Sequence, residues 1–237
     1  MRYFCLRFAA LALLALPAVR ADNSLGAFSD QGDIGTASKP GLLVYDAAAK
    51  TYTIGSAGAN MWFKEDDMHF VWKRTSGNLS IAADIAFPGA SKQGHRKACL
   101  MLRQNLDPDS PYVDVARHGD GLTSLQFRQV VGGPTMEIQS NVASPTRVRL
   151  DKIGGVVYLS VAGPDGVLRP SGASIRLPFG DPFYVGLAVS AHDDTAFETA
   201  IFSRVVIGTA SADAAKPQPQ LHVITLPSGD RRVTDQP

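Results

Sequence analysis

The chain is predicted to be all-β, a two-sheet antiparallel sandwich of jelly-roll type. Three observations predict it. Short stretches in which apolar residues recur at every second position follow one another along most of its length. Gly and Pro punctuate nearly every gap between them, as in SGN, PGA, DPDSP, GDG, VGGP, IGG, GPDG and PFGDP. No stretch longer than about two turns carries the 3.6-residue apolar repeat of a helix.

Taken in order, Tyr52 and Ile54 alternate in TYTIG, and Met68, Phe70 and Trp72 alternate in MHFVWK. Leu79, Ile81, Ala83, Ile85 and Phe87 then keep a strict period of two. Strands are expected at 98–103, 112–118, 124–129, 136–139, 146–150, 156–162, 174–177, 183–190 and 198–207. Roughly a dozen short strands suit a large jelly-roll sandwich better than a small immunoglobulin-like one.

The two ends read differently. Arg2 and Arg7 precede an apolar run, Phe8 to Leu16, that is too short to span a bilayer. Pro17 ends it, and Val19 and Ala21 supply the small residues of a cleavage site, so residues 1–21 are expected to be a secretory signal peptide. The sandwich is assigned to 22–207 and a flexible linker and tail to 208–237. GTASADAAKPQPQ has linker composition, and LHVITLPSGDRRV alternates into a turn like half of a hairpin.

Export bounds the function classes. Without Arg2, Arg7 and Arg20 the 23 basic residues become 20 against 22 acidic ones, leaving no basic excess to bind nucleic acid. No later segment is apolar for long enough to be a transmembrane helix. Only Cys99 remains after processing, so no intramolecular disulfide is expected, and Cys99 reads as a small buried hydrophobe.

The densest functional chemistry lies between Leu106 and Arg128, LDPDSPYVDVARHGDGLTSLQFR. Strand alternation puts Tyr112, Asp114 and His118 on one face and Val113 and Val115 on the other. With Arg103, Gln126, Arg128 and His192 they form the expected ligand-binding surface. Asp120 in HGDG reads as a turn residue capping its own backbone. Glu137 reads as part of a solvated face, Glu65 to Asp67 as a solvated loop, and Trp72 as core. Trp62 follows a Gly-rich loop as a candidate sugar platform, and Arg96 in GHRK is expected to face the polar sheet surface.

Three segments, NMWFKEDDMHFVWKRTSGNLSIAADIAF, HRKACLMLRQNLDPDSPYVDVARHGDGLTSLQFR and DPFYVGLAVSAHDDTAFETAIFSRV, carry a family resemblance. Together they resemble the concanavalin A-like lectin/glucanase domain of exported bacterial proteins, over roughly residues 26–207. In particular they resemble the domain that often precedes a TolB-like propeller in proteins labelled biopolymer transporter Tol. In such relatives a propeller blade often begins with a segment like LHVITLPSGDRRV. The superfamily spans hydrolases, lyases, lectins and protein-binding modules, so the fold alone does not choose among them. Its glucanase branch carries E-x-D-x-E on one strand, a motif missing here. The contiguous Glu65, Asp66 and Asp67 cannot all share one face.

The leading expectation is therefore an exported, non-catalytic module that binds carbohydrate or another envelope polymer, periplasmic or extracellular, with no catalytic residue assigned. A glycoside hydrolase or polysaccharide lyase would use Asp114 with His118 or Glu198, or Tyr112 as base and Arg103 or Arg128 to neutralise a substrate carboxylate. A structural role would dock the sandwich on a protein partner of the cell envelope. The scattered histidines 69, 95, 118 and 192 lack zinc spacing, and no cofactor is expected. A structural calcium would draw on the Asp30 and Asp33 loop.

Overall fold

The computed structural model describes residues 25–177 and 179–210, together with the backbone of 222–225 and 231–234. Residues 1–21, expected to be a signal peptide, and most of the expected linker lie outside the described residues. No helix occurs among those described, and none is long and apolar enough to cross a membrane. The strands are β1 (Asp30–Ile34), β2 (Leu42–Asp46), β3 (Thr51–Ser56), β4 (Met61–Trp62), β5 (Glu65–Asp66), β6 (Met68–Thr75) and β7 (Leu79–Ala86). They continue as β8 (Lys97–Arg103), β9 (Tyr112–His118), β10 (Thr123–Arg128), β11 (Met136–Gln139), β12 (Arg147–Ile153) and β13 (Val156–Ala162). The last five are β14 (Leu168–Arg176), β15 (Phe183–Ser190), β16 (Glu198–Gly208), β17 (His222–Thr225) and β18 (Arg231–Thr234).

Two antiparallel sheets face each other. One has the order β1-β6-β15-β8-β9-β10-β11-β17-β18, the other β14-β13-β12-β7-β16-β3-β2. The period-two pattern explains the packing between them. Leu100 and Leu102 of β8, Val113 and Val115 of β9, and Leu125 and Phe127 of β10 point inward. There they meet Ile81, Ala83 and Ile85 of β7, Val148 and Leu150 of β12, and Phe202 of β16. Gly121, at φ 97°, turns β9 into β10, and Asp120 caps that turn by accepting the Leu122 amide at 3.0 Å.

The outer face of the nine-stranded sheet is not simply solvated. Met68, Phe70 and Trp72 of β6, Cys99 and Met101 of β8, and Tyr112 and Ala116 of β9 form a second, smaller apolar cluster there. The β4–β5 hairpin roofs it, contributing the buried Met61. Trp72 is core as expected, stacked on Phe70 with ring centroids 5.4 Å apart, but the core it joins is this outer one.

Two sequence expectations are corrected. Asp66 is no solvated loop residue, because β5 pairs with β4 and turns its carboxylate under the roof, leaving it 1% exposed. Glu137 is not on a solvated face either. It is buried beside Gln126 and Gln139, its neighbours across and along the sheet. In addition, β1, β2 and the first half of β14 were not foreseen from periodicity, and β17 pairs with β11 on one side and β18 on the other.

Candidate functional site

The seven candidate ligand residues separate into two layers. Arg103, Tyr112, Asp114 and Arg128 lie beneath the roof, each 0% exposed. His118, Gln126 and His192 line a cleft beside it. The reason is register. Cross-strand partners share a face, so Lys97 sits opposite His118, and Asp114 opposite Gln126 and Met101. The roof covers the Met101 end of this row and leaves the Lys97 end open.

The covered layer is built around Asp66. Its Oδ1 accepts from Arg128 at 2.7 Å, and its Oδ2 accepts from Arg128 at 3.0 Å and Arg103 at 3.2 Å. Arg103 also donates to the carbonyl oxygens of Asn105 and Asp107, at 2.7 and 2.6 Å. Arg128 donates to those of Pro108 and Ser110, both at 3.1 Å, and lies over the Tyr112 ring at 5.0 Å. The Tyr112 hydroxyl donates to the Met61 carbonyl oxygen at 3.1 Å, and burial pushes its pKa well up. Burial likewise lowers the Arg103 pKa, with the Asp66 carboxylate opposing the shift. Two arginines on the sheet and one aspartate on the roof thus clamp the hairpin to the floor. Charge-assisted bonds of this number satisfy most of the buried donors. Neither guanidinium reaches solvent to meet a substrate carboxylate.

Asp114 differs from its neighbours. Neither carboxyl oxygen has a hydrogen-bond partner of good geometry. Burial raises its pKa to about 8, with Lys97, the Cys99 thiol and the Gln126 backbone opposing the shift. Cys99 is buried as expected, and burial holds its thiol well above the ordinary range.

The open layer is a cleft of about 390 Å³ lined by Asn60, Trp62, His95, His118, Gln126 and His192, with Lys97 and Glu137 in its floor. The Lys97 ammonium donates to Asn60 Oδ1 at 3.1 Å, the Met61 carbonyl oxygen at 3.2 Å and Gln126 Oε1 at 3.2 Å. Its three protons thereby match three acceptors, and the group lies 5.3 Å from the Trp62 ring centroid. Burial nonetheless lowers the Lys97 pKa. The Gln126 amide nitrogen donates to Ser124 Oγ at 3.2 Å and Glu137 Oε2 at 3.3 Å. Gln139 holds the other Glu137 oxygen at 2.5 Å.

The imidazoles complete the wall. His118 Nδ1 donates to the Leu122 carbonyl oxygen at 3.1 Å, which leaves Nε2 as an acceptor, 3.5 Å from the Gln126 amide nitrogen. Burial, with Lys97 close by, drives the His118 pKa down to about 3. His192 accepts from the Asn60 amide at 3.2 Å, and its pKa is lowered by burial and by Lys97. His95 stands between them, with ring centroids 6.0 Å from His118 and 5.3 Å from His192.

Lys97, Asn60 and His95 were missed in the sequence. Counting back by twos from Arg103 places Lys97, not Arg96, on the outer face. Arg96 instead pairs with Glu198 at 2.7 Å and lies over Phe87. Elsewhere, Asp33 is engaged by His69 at 2.7 Å and by the Gly41 amide, so its carboxylate already has protein donors. Among the described residues no group of three or more His, Cys, Asp or Glu side chains is arranged to hold a metal.

No protein-family model matches the chain, and no curated protein matches it in sequence. Among solved structures, a functionally unknown protein from Saccharomyces cerevisiae aligns with TM-score 0.55 and 14% identity, over 75% of this chain and 100% of that one. A family 7 alginate lyase in complex with product aligns with TM-score 0.47 and 10% identity, over 71% of this chain and 83% of that one. A lectin from Bauhinia forficata in complex with GalNAc aligns with TM-score 0.38 and 8% identity, over 80% and 96%. At 14% identity the first of these likenesses concerns the fold alone.

Proposed function

We propose that this chain is an exported carbohydrate-binding module that holds a glycan in the cleft between Trp62, His118 and His192 without cleaving it. One observation carries the reading. An indole ring, a fixed amide network and imidazoles with lowered pKa values face one open space on the sheet. Sugars are recognised by such a combination, with hydroxyls exchanging hydrogen bonds with amides and imidazoles while C–H faces pack on an aromatic ring.

The chemistry of the lining favours binding over bond cleavage. Glycoside hydrolysis needs two carboxyl groups facing each other across the substrate, about 5–10 Å apart. Glu137 is the carboxylate in the lining, Asp114 is sealed beneath it, and Glu198 is committed to Arg96. A lyase base works best with a pKa near the working pH, and that of His118 lies near 3. Binding needs none of these groups to change protonation.

The test is a glycan array followed by titration calorimetry on the exported chain. Trp62→Ala and His192→Ala are expected to weaken the retained glycan about tenfold or more, or about 1.4 kcal/mol, with an unchanged circular dichroism spectrum. Full binding by both variants would remove the cleft from consideration. Turnover of the bound glycan would replace the binding reading with an enzymatic one.

A further inference from the structure

Phe63 is the most exposed of the large apolar side chains described, at 68%. It occupies the first position of the two-residue loop between β4 and β5, with Trp62 and Glu65 paired on either side. Its φ is 54°, the left-handed region that such a loop normally gives to glycine. The backbone is pinned there, because the Phe63 carbonyl oxygen accepts the Thr135 amide at 2.9 Å. A bulky ring thus stands in water at a position where glycine would fold with less strain. Strain of this kind points toward a use outside the fold.

The surroundings indicate the use. Phe63 and Asn60 line the cleft, and both also line a second depression of about 740 Å³ on the far side of the hairpin. Its walls are Pro108, Pro134 and the ring itself, with Thr36, Lys64 and Asp67 supplying polar groups. The hairpin is therefore a ridge between two hollows, and Phe63 forms part of both.

Resting on the cleft reading above, we propose that Phe63 is a stacking platform for a glycan chain longer than the cleft. The second depression receives the sugar units that follow. The ligand class is accordingly an oligo- or polysaccharide rather than a single sugar. The exposed ring face packs on the C–H face of the unit crossing the ridge.

Calorimetry with alginate, β-1,3-glucan and chitin oligosaccharides of two to six units tests this on acidic, neutral and N-acetylated chains. Wild-type affinity is expected to rise about tenfold between two and five units for the chain that binds. Phe63→Gly is expected to lose that rise, whatever its two-unit affinity, and to unfold at the same or a higher temperature. Phe63→Tyr is expected to keep the rise. A rise preserved in Phe63→Gly, a rise lost in Phe63→Tyr, or a marked fall in the melting temperature of Phe63→Gly overturns the platform. Two-unit binding with no gain in length overturns the platform alone. No binding of any of the three series to wild type overturns the cleft reading and the platform with it.

Discussion

Asp66 shows how one carboxylate can organise a face of the molecule. It is held at 0% side-chain exposure by Arg103 and Arg128, which arrive from β8 and β10. Asp66→Asn keeps the shape but leaves two buried guanidiniums without a counter-charge. It is expected to lose about 3–5 kcal/mol of stability in urea unfolding; a loss below about 1 kcal/mol would show that the charge is dispensable. Asp114 gives a pH prediction of the opposite kind. Its pKa is about 8 when folded and 3.8 in the unfolded reference, so folding retains a proton that the unfolded chain gives up between these values. Stability from this group therefore falls as pH rises from about 4 to 8. His118 works on the acid side, where stability is lost as pH falls from 6.5 toward 3. Because His118 is common to both proteins, comparing wild type with Asp114→Asn isolates the aspartate. The variant is expected to gain on wild type steadily between pH 4.5 and 8; a constant difference would contradict the buried acid. The sequence hid both roles for one reason. Alternation shows which face a side chain takes, but not whether another segment later covers that face.

At the scale of elements, period-two patterning served well where strands bury one face against the facing sheet. The stretches read as strands at 79–87, 112–118, 156–162 and 183–190 match β7, β9, β13 and β15 to within a residue. Strand β1, DQGDI, escaped because it is a polar edge with Gly32 lying against the Trp72 ring. Strand β14 escaped in part because Pro170 and Gly172 interrupt it, the latter at φ 85°. The hairpin of β4 and β5 is two residues per strand, too short for any periodicity to register. It is also the element that divides the candidate site, placing Arg103, Tyr112, Asp114 and Arg128 under cover while His118, Gln126 and His192 stay open. The seven were legible as one face. Their separation depends on a contact between segments about forty to sixty residues apart, which local pattern cannot carry.

At the scale of the molecule, late strands complete early ones. Strand β15 lies between β6 and β8, and β16 between β7 and β3. Neither sheet can close until residues 183–208 are in place. A chain ending at residue 180 is therefore expected to stay unfolded, without the cooperative thermal transition of the full chain; a sharp transition in that fragment would show an independent folding unit. The same long-range closure ties the candidate site to the whole. Asp66 fastens the roof to two floor strands, so hairpin and sheet open together or not at all. A candidate site assembled this way has no gate among the described residues. Ligand arrival would be set by diffusion and orientation, with a single association phase, and differences in affinity among glycans would appear in how long each one stays.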